Sequence, residues 1–287
     1  MTIAAGTHAY GEELRVAIDL ARNAGAGILE LYNGPIEVLE KFDVDVSEPV
    51  TIADQIANDL IVKGLHENFP DDGILAEESI DTEQRLSKRR VWMVDPLDGT
   101  NGFIDGNGDF AVQIGLAVDG QAVLGVVYQP LPDVLYRAVV GEGSWIETEL
   151  GEVRRAQVSA RTDFSQMRLA ASRSHRSPRM DRVVRALGVN REVKRGSVGI
   201  KVGLLIEQRC DLYVHLSPRT KQWDTCAPQI ILTEAGGSIT DLFGGPITYN
   251  AADVQNQNGL VASNSISHDH IIAILEPLLA QFGRLPV

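Results

Sequence analysis

The sequence predicts a mixed fold, with an α+β first half and an α/β second half. In the first half two apolar runs, Phe110 to Val118 and Ala122 to Tyr128, flank Asp119-Gly120, a pair that favours a two-residue hairpin turn. After residue 148, strand-like and helix-like segments alternate, which is typical of α/β proteins. The chain has 287 residues, 44% of them hydrophobic, enough to bury a core in each half. We expect one domain at residues 1–145 and a second at residues 146–287.

Two helices are predicted before the first sheet. Apolar residues recur at helical spacing from Leu14 to Leu29, and Asn33-Gly34-Pro35 is a stop signal. Thr51 suits the N-cap of a second helix that ends near Phe69, so Asp54 falls in its first turn. An acidic residue there commonly complements the helix dipole, which is the simpler interpretation of Asp54.

Strands and a loop lead to the central segment. A short strand from Ile74 to Ala76 runs into the adjacent acids Glu77-Glu78. The segment from Ile80 to Arg90 is polar and lacks periodicity, so it is predicted as a surface loop. Val91 to Val94 is predicted as a buried strand, and Val134 to Val140 as a third strand after the hairpin.

The second half is predicted to alternate between strands and helices. Gly141-Glu142-Gly143-Ser144 is the junction expected between the two domains. Beyond it the pattern predicts strands at Arg168 to Ala171, Asp211 to His215 and Leu260 to Ala262, and helices at Pro178 to Leu187, Gly199 to Gln208, Cys226 to Ala235 and His268 to Phe282.

Charge and composition exclude several classes of protein. Lys and Arg total 26 against 39 Asp and Glu, a net charge of -13, so neither polymeric nucleic acid nor an anionic membrane is expected as a partner. Small anions stay eligible, because a bound cation reverses the local sign. Two cysteines are too few for a disulfide framework, and we see neither a signal peptide nor an apolar run of membrane length, so a cytoplasmic location is expected. The sequence lacks a Gly-x-x-x-x-Gly-Lys-Ser/Thr loop, which argues against a nucleoside triphosphatase.

The segment Asp95-Pro96-Leu97-Asp98-Gly99-Thr100 follows the central strand and carries the strongest functional pattern. Pro96 fixes the turn, so that both carboxylates and the Leu97 carbonyl can converge as oxygen ligands for a hard cation such as Mg²⁺. Gly99 admits a close backbone approach, and the amides of Gly99 and Thr100 at a short helix start can seat an anion. An Asp-rich surface turn is the competing interpretation of this motif.

Three other acidic positions stand at the ends of predicted elements. Asp54 follows a helix start, Glu77 ends a strand, and Asp224 is predicted at an N-cap in Gln222-Trp223-Asp224-Thr225. Taken singly, these residues are explained by dipole matching, a solvated loop and helix capping. Side chains at element ends can converge from separate parts of a fold, and together with Asp95 and Asp98 these acids require a metal ion to relieve their repulsion.

The ordered set of Asp54, Glu77-Glu78, Asp95 to Thr100, Trp223-Asp224 and Gly236-Gly237 resembles the lithium-sensitive, Mg²⁺-dependent phosphomonoesterase superfamily of inositol monophosphatases, fructose-1,6-bisphosphatases and bisphosphate nucleotidases. The resemblance spans most of the chain. It implies a layered α-β-α-β-α sandwich with two or three Mg²⁺ ions between the layers.

Carried over by position, the resemblance implies roles for seven residues. A first metal would bind Glu77, Asp95 and the Leu97 carbonyl, and a second would bind Asp95, Asp98 and Asp224. Glu77 and Thr100 would orient the attacking water. Asp54 would support the Thr100 hydroxyl and help to hold a third ion.

Further segments are similar to the 3'(2'),5'-bisphosphate nucleotidase branch, among them Glu48 to Thr51, Phe103 to Phe110 and Ala171 to His175. We therefore expect hydrolysis of the 3'(2')-phosphate of adenosine 3'(2'),5'-bisphosphate. The expected substrate-binding residues are Gly99, Thr100, Arg173, Ser174, His175, Ser197, Lys201, Arg219 and Lys221. In place of the sugar-binding Glu of inositol monophosphatases this chain has His215, which weighs against an inositol substrate.

Alternatives stay open at this point. An inositol-1-phosphatase or a fructose-1,6-bisphosphatase would use the same acids. A non-catalytic metal-binding scaffold would keep the fold, because a fold alone does not establish activity. The expected partner is a small phosphorylated substrate, and the sequence leaves the oligomeric state open between monomer and homodimer.

Overall fold

The computed structural model describes residues 9–32, 34, 38–43, 46–173 and 177–287. Its first half contains α1 (Gly11–Tyr32), β1 (Val38–Asp43), β2 (Val46–Thr51), α2 (Ile52–Asn68), β3 (Gly73–Ala76), a 3₁₀ turn (Gln84–Ser87), β4 (Arg90–Asp98), α3 (Thr100–Ile104), β5 (Ala111–Val118), β6 (Gln121–Gln129), β7 (Val134–Val139), β8 (Gly143–Glu147) and β9 (Val153–Arg155).

The second half continues with β10 (Arg168–Ser172), α4 (Pro178–Leu187), β11 (Arg191–Arg195), α5 (Val198–Ile206), β12 (Leu212–His215), α6 (Gln222–Glu234), β13 (Gly237–Thr240), β14 (Leu260–Asn264) and α7 (Ser265–Gln281). The helices and strands predicted from periodicity are confirmed with shifts of a few residues at their ends.

Two sheets organise these elements. A seven-stranded sheet has the order β3-β4-β5-β6-β7-β8-β9, antiparallel throughout except for the parallel pair of β3 and β4. A five-stranded mixed sheet has the order β11-β10-β12-β14-β13. β1 and β2 form a separate antiparallel pair.

Alternating residues of the strands define five layers. Trp92 and Val94 of β4 face the core beneath α1 and α2, whereas Val91 and Met93 face the opposite core, which contains α5 and α6. In the second sheet Ala170 faces α5 and α6, and its neighbours face a third core with α4 and α7. The layers therefore run α1/α2, sheet, α5/α6, sheet, α4/α7, and the predicted α-β-α-β-α sandwich is confirmed.

The structure corrects the bounds of two predicted elements and adds detail to a third prediction. The central strand does not stop at Val94 but runs to Asp98. The predicted surface loop from Ile80 to Arg90 contains the 3₁₀ turn and the buried Arg85. α6 begins at Gln222, ahead of the predicted start.

The division at residues 145/146 stays a prediction. The segment 141–142 is the turn between β7 and β8 of one sheet, so the passage from one sheet to the other comes between Arg155 and Arg168. Across the described ranges, no helix has both the length and the apolar character needed to cross a membrane.

Candidate metal and phosphate site

A bulge at the end of β4 presents the two central carboxylates. Asp95 pairs with Gln113 of β5 and Asp98 with Ala111, so β4 has one residue more than β5 between these pairs. Pro96, which has no N–H to donate to the ladder, lies within the bulge. The Leu97 amide donates to Asp95 Oδ1 at 3.0 Å, which holds the Asp95 carboxylate against the bulged backbone.

Asp98 is held by donors from two other elements. Gln113 Nε2 on β5 donates to Asp98 Oδ2 at 2.6 Å, and the Gly199 amide donates to the same oxygen at 3.0 Å. The Ser197 hydroxyl donates to Oδ2 as well, and its oxygen caps α5 by accepting from the Ile200 amide. The predicted substrate-binding residue Ser197 is thus buried as a partner of Asp98.

Asp224 approaches from the second half of the chain. It is the third residue of α6, and its Oδ2 accepts from the Lys221 amide at 2.6 Å. The prediction that Asp224 is an N-cap was wrong, because Lys221 occupies that position. Convergence is nevertheless confirmed in geometry: one carboxylate oxygen from each of Asp95, Asp98 and Asp224 lies within 4.8 Å of the others.

Asp54 and Thr100 form a hydrogen-bonded pair beside this cluster. Thr51 donates to Asp54 Oδ2 through its amide at 2.7 Å and its hydroxyl at 2.6 Å, which completes a capping box at the start of α2. The other oxygen, Oδ1, accepts from the Thr100 hydroxyl at 3.2 Å. The Leu97 carbonyl oxygen lies 3.3 Å from the same hydroxyl. Asp54 therefore caps a helix and also orients Thr100.

The cluster opens into a cleft of about 150 Å³. Its lining combines acids, cations and the central turn: Glu77, Asp95, Leu97, Asp98, Gly99, Thr100, Arg219, Lys221, Trp223 and Asp224. Gly99 has φ +103°, and a Cβ there would lie 2.4 Å from the Asp109 carbonyl oxygen, so only glycine fits. This places the Gly99-Thr100 turn on the floor of the cleft at the start of α3.

Burial and mutual repulsion disfavour charge on the acids. Burial raises the pKa of Asp95 well above its usual value, and the charges of Glu77, Asp98 and Asp224 raise it further. Burial also raises the pKa of Asp98, against the opposing effects of the Ser197 hydrogen bond and the Lys201 charge. A group of carboxylates with this repulsion is stabilised by a bound cation.

The predicted cations divide into two sets. Arg219 and Lys221 line the cleft. Lys201 is only 2% exposed, donates to the Gly196 carbonyl at 2.7 Å, and lies 4.8 Å from the ring centroid of Tyr213. This side chain therefore lies within the protein rather than on the cleft surface, and burial lowers its pKa to about 8.

Arg173 forms an ion pair with Asp109, an acid that was not among the predicted site residues. Its Nε donates to Asp109 Oδ2 at 2.7 Å, and Arg195 Nε lies 3.4 Å from Asp109 Oδ1. Ser174 and His175 lie outside the described residues.

Two polar residues near the site were not predicted from the sequence, although a local pattern marks each of them. Gln113 is an isolated polar side chain within the apolar run of β5, and Asp109 stands directly before that run. His215 contacts the tyrosine that packs on Lys201: its Nδ1 lies 3.1 Å from the Tyr213 hydroxyl.

The donor set fits Mg²⁺. Carboxylates and a backbone carbonyl are hard oxygen ligands, and three carboxylate oxygens within 4.8 Å can share one or more divalent ions. The residues that would hold the metal are Glu77, Asp95, Asp98 and Asp224 together with the Leu97 carbonyl.

Comparison with known proteins decides the family. The sequence profile of the inositol monophosphatase family matches residues 10–280. This chain belongs to the inositol monophosphatase family. It is 38% identical over 233 residues to the 3'(2'),5'-bisphosphate nucleotidase CysQ of Escherichia coli K12, covering 80% of this chain and 91% of that protein.

Solved structures agree with this family membership. CysQ from Bacteroides thetaiotaomicron has a TM-score of 0.76 at 30% identity, covering 90% of this chain and 98% of its own. The Thermotoga maritima IMPase has a TM-score of 0.79 at 26% identity, covering 94% and 99%. Members of the family are Mg²⁺-using phosphatases, and this chain is a phosphoric monoester hydrolase.

Proposed function

We propose that this enzyme uses Mg²⁺ to hydrolyse the 3'(2')-phosphate of adenosine 3'(2'),5'-bisphosphate. The observation that carries the proposal is a single cleft that combines the acidic cluster with Arg219 and Lys221. The acids would hold cations that bind the reacting phosphate. The two basic side chains would bind a second phosphate on the same small molecule. The 38% identity to a bisphosphate nucleotidase over most of the chain supports the same substrate class.

The reaction transfers the phosphoryl group to water. The water oxygen forms a bond to phosphorus, and the bond from phosphorus to the ribose 3'-oxygen breaks. One proton of the water ends on the leaving ribose oxygen, so the products are AMP and inorganic phosphate. Bound Mg²⁺ supplies Lewis-acid activation of the water and stabilisation of the leaving oxygen.

Residues of the chain position the water. The Thr100 hydroxyl donates to Asp54 Oδ1, so its oxygen lone pair is directed to accept a proton of the attacking water. Glu77, which follows the neighbouring parallel strand β3, lines the same cleft and would orient the water together with Thr100. The backbone at Gly99 comes close enough to donate to a phosphate oxygen.

Remote binding energy would set the preference among substrates. The reacting phosphate meets the same acids in a bisphosphonucleotide and in inositol 1-phosphate, so discrimination depends on groups that hold the rest of the substrate. One charge-assisted hydrogen bond to a second phosphate contributes about 1.5 to 3 kcal/mol. That free energy corresponds to roughly 10- to 100-fold in kcat/KM for each contact.

The test compares three substrates at saturating Mg²⁺. We expect kcat/KM for adenosine 3',5'-bisphosphate to exceed that for inositol 1-phosphate by at least tenfold, with AMP as the product identified by chromatography. Fructose 1,6-bisphosphate, which also carries a second phosphate, is the third substrate, and it separates recognition of the nucleotide from recognition of two phosphates.

Arg219→Ala should remove most of the preference for the nucleotide and leave inositol 1-phosphate turnover within about twofold. Arg15→Ala is the matched control, because it removes the same charge from an exposed pair with Asp19 on α1. Higher kcat/KM for inositol 1-phosphate or for fructose 1,6-bisphosphate in the unaltered enzyme would replace the nucleotidase assignment by that activity. No turnover of any of the three would contradict the proposed substrate class.

A further inference from the structure

The 3₁₀ turn at Gln84–Ser87 carries an arginine that the site described above does not use. The Arg85 side chain is 1% exposed. Along the chain its turn follows β3, which leads to Glu77, and precedes β4, which carries Asp95. Its guanidinium binds Asp81 through Nη2 at 2.7 Å and through Nε at 3.1 Å. Burial of such a charge is costly unless it is paired, so Asp81 accounts for the charge of Arg85 but not for its remaining N–H groups.

Those remaining donors reach the other half of the chain. Arg85 Nη1 donates to Asn250 Oδ1 at 3.0 Å and to the Ala251 carbonyl at 3.0 Å. Asn250 Nδ2 returns a hydrogen bond to the Arg85 carbonyl at 3.1 Å and another to the Lys88 carbonyl at 3.2 Å. The pairing joins residues 165 positions apart in sequence and ties the turn firmly to the 250–256 loop.

The 250–256 loop holds the first residue of α6. The Asn250 amide donates to Gln222 Oε1 at 2.7 Å, and Gln222 Nε2 donates to the Asp253 carbonyl at 2.9 Å. The Gln222 amide donates in turn to the Val254 carbonyl at 2.8 Å. Gln222 is 2% exposed and precedes Asp224 by two residues, so the start of α6 is fixed relative to Arg85 by a continuous hydrogen-bonded path.

We propose that Arg85 is a positioning residue that sets the separation between the acids of the first half and Asp224. Glu77, Asp95 and Asp98 belong to the seven-stranded sheet, whereas Asp224 arrives on α6 from the other half. The path from Arg85, which packs against Gly73 at the start of β3, through Asn250 to Gln222 joins these two groups and reaches α6 two residues before Asp224. Mg²⁺ requires near-ideal octahedral spacing of its oxygen ligands. A looser connection between the two groups of acids therefore lowers the affinity for Mg²⁺, whereas kcat at saturating Mg²⁺ changes less. The inference rests on the metal site of the proposed function but not on its substrate.

The experiment measures Mn²⁺ binding to the metal-free enzyme by electron paramagnetic resonance, without substrate. Asn250→Gly is the principal variant. Asn250 has φ +64°, which glycine adopts freely. The variant leaves the Arg85–Asp81 pair and the bond from Arg85 to the Ala251 carbonyl intact, while it removes the three hydrogen bonds of the Asn250 side chain. Arg85→Lys is the second variant, because a lysine keeps the charge beside Asp81 but lacks the fork that reaches Asn250.

We expect both variants to weaken Mn²⁺ binding by about tenfold or more, and to raise the Mg²⁺ concentration for half-maximal activity in parallel. At saturating Mg²⁺, kcat should return to within about threefold of the unaltered enzyme.

Arg90→Ala is the control for a general loss of stability. Arg90 binds Asp72 at 2.8 Å and Glu13 at 2.8 Å, both within the first half of the chain. The control should lower Tm and leave the Mn²⁺ Kd unchanged.

Variants that lower Tm like the control but bind Mn²⁺ within twofold of the unaltered enzyme would overturn the positioning role of Arg85. Failure of the unaltered enzyme to bind Mn²⁺ would instead contradict the metal site itself, so the two outcomes are distinguishable.

Discussion

Asp95→Asn isolates the charge at the centre of the acidic cluster. Asparagine has nearly the same shape as aspartate and retains Oδ1, the atom that accepts from the Leu97 amide at 3.0 Å. The bulge that presents the cluster should therefore persist. The substitution removes one negative charge from a residue that is 1% exposed.

The magnitude follows from the spacing of the acids. Carboxylate oxygens of Asp95, Asp98 and Asp224 lie within 4.8 Å of one another. At an effective dielectric constant of 20, two unit charges at that distance repel by about 3 kcal/mol. The raised pKa of Asp95 means that protonation already relieves part of this repulsion in the metal-free protein, so we expect a gain of about 1 to 3 kcal/mol in the free energy of unfolding. This corresponds to a Tm increase of roughly 2 to 6 °C.

Activity should change in the opposite direction. The variant lacks a charged ligand for the metal and should lose turnover by about 10³-fold or more at saturating Mg²⁺. Differential scanning calorimetry in excess chelator gives the first quantity, and release of inorganic phosphate gives the second. Asp19→Asn, an exposed acid on α1, is the charge-matched control and should alter neither.

Two results would refute this reasoning. A metal-free Asp95→Asn protein that melts below the unaltered enzyme would show that the carboxylates do not repel one another as the spacing implies. Turnover above about a tenth of normal would show that Asp95 is not a required metal ligand.

Three further predictions concern the same site. Thr100→Val should lower kcat by about 10²- to 10³-fold. Thr100→Ser should retain most of the activity, because serine keeps the hydroxyl that donates to Asp54 and orients the water. Equal loss in both variants would contradict this role of the hydroxyl. Li⁺ should inhibit and Ca²⁺ should compete with Mg²⁺, since Ca²⁺ takes more ligands at longer distances; phosphate release that is indifferent to both ions and to chelator would argue against metal catalysis. Asp54, Asp95 and Asp98 have raised pKa values, so they favour the folded state most at low pH, and this contribution is lost as pH rises through those values. The Tm of the metal-free enzyme should therefore fall as the pH rises above the ordinary carboxyl pKa of about 4, and Mg²⁺ should flatten the profile. A Tm of the metal-free enzyme that rises over this range would contradict the electrostatics.

The acids of the cleft could be predicted from sequence because each stands at an element end with a local signal. Asp95 and Asp98 end an apolar strand, and Asp54 follows a recognisable cap at Thr51. Asp54 and Asp224 each also belong to a capping box at the start of a helix, so neither residue alone distinguishes a metal ligand from a helix cap.

Contacts between distant segments could not be predicted in this way. The bulge in β4 depends on its register with β5, and the hydrogen bond from Gln113 to Asp98 depends on that register too. The pairing of Arg85 with Asn250 leaves no trace in either local sequence, so a polar segment was interpreted as an exposed loop.

The sequence around Lys201 already indicates that this residue is buried. α5 is apolar on all sides apart from this lysine, and a helix with that character is buried. A cation on such a helix belongs to the interior, where it lies near the charges of Asp98 and Asp224, rather than to a substrate-facing surface.

Anomalous diffraction from crystals grown with Mn²⁺ tests the central claim most directly, because it locates the metal without any assumption about substrate. The account predicts peaks within coordination distance of carboxylate oxygens from Asp95, Asp98 and Asp224, with the Leu97 carbonyl among the ligands. Peaks confined to exposed surface acids, with none in the cleft, would contradict it.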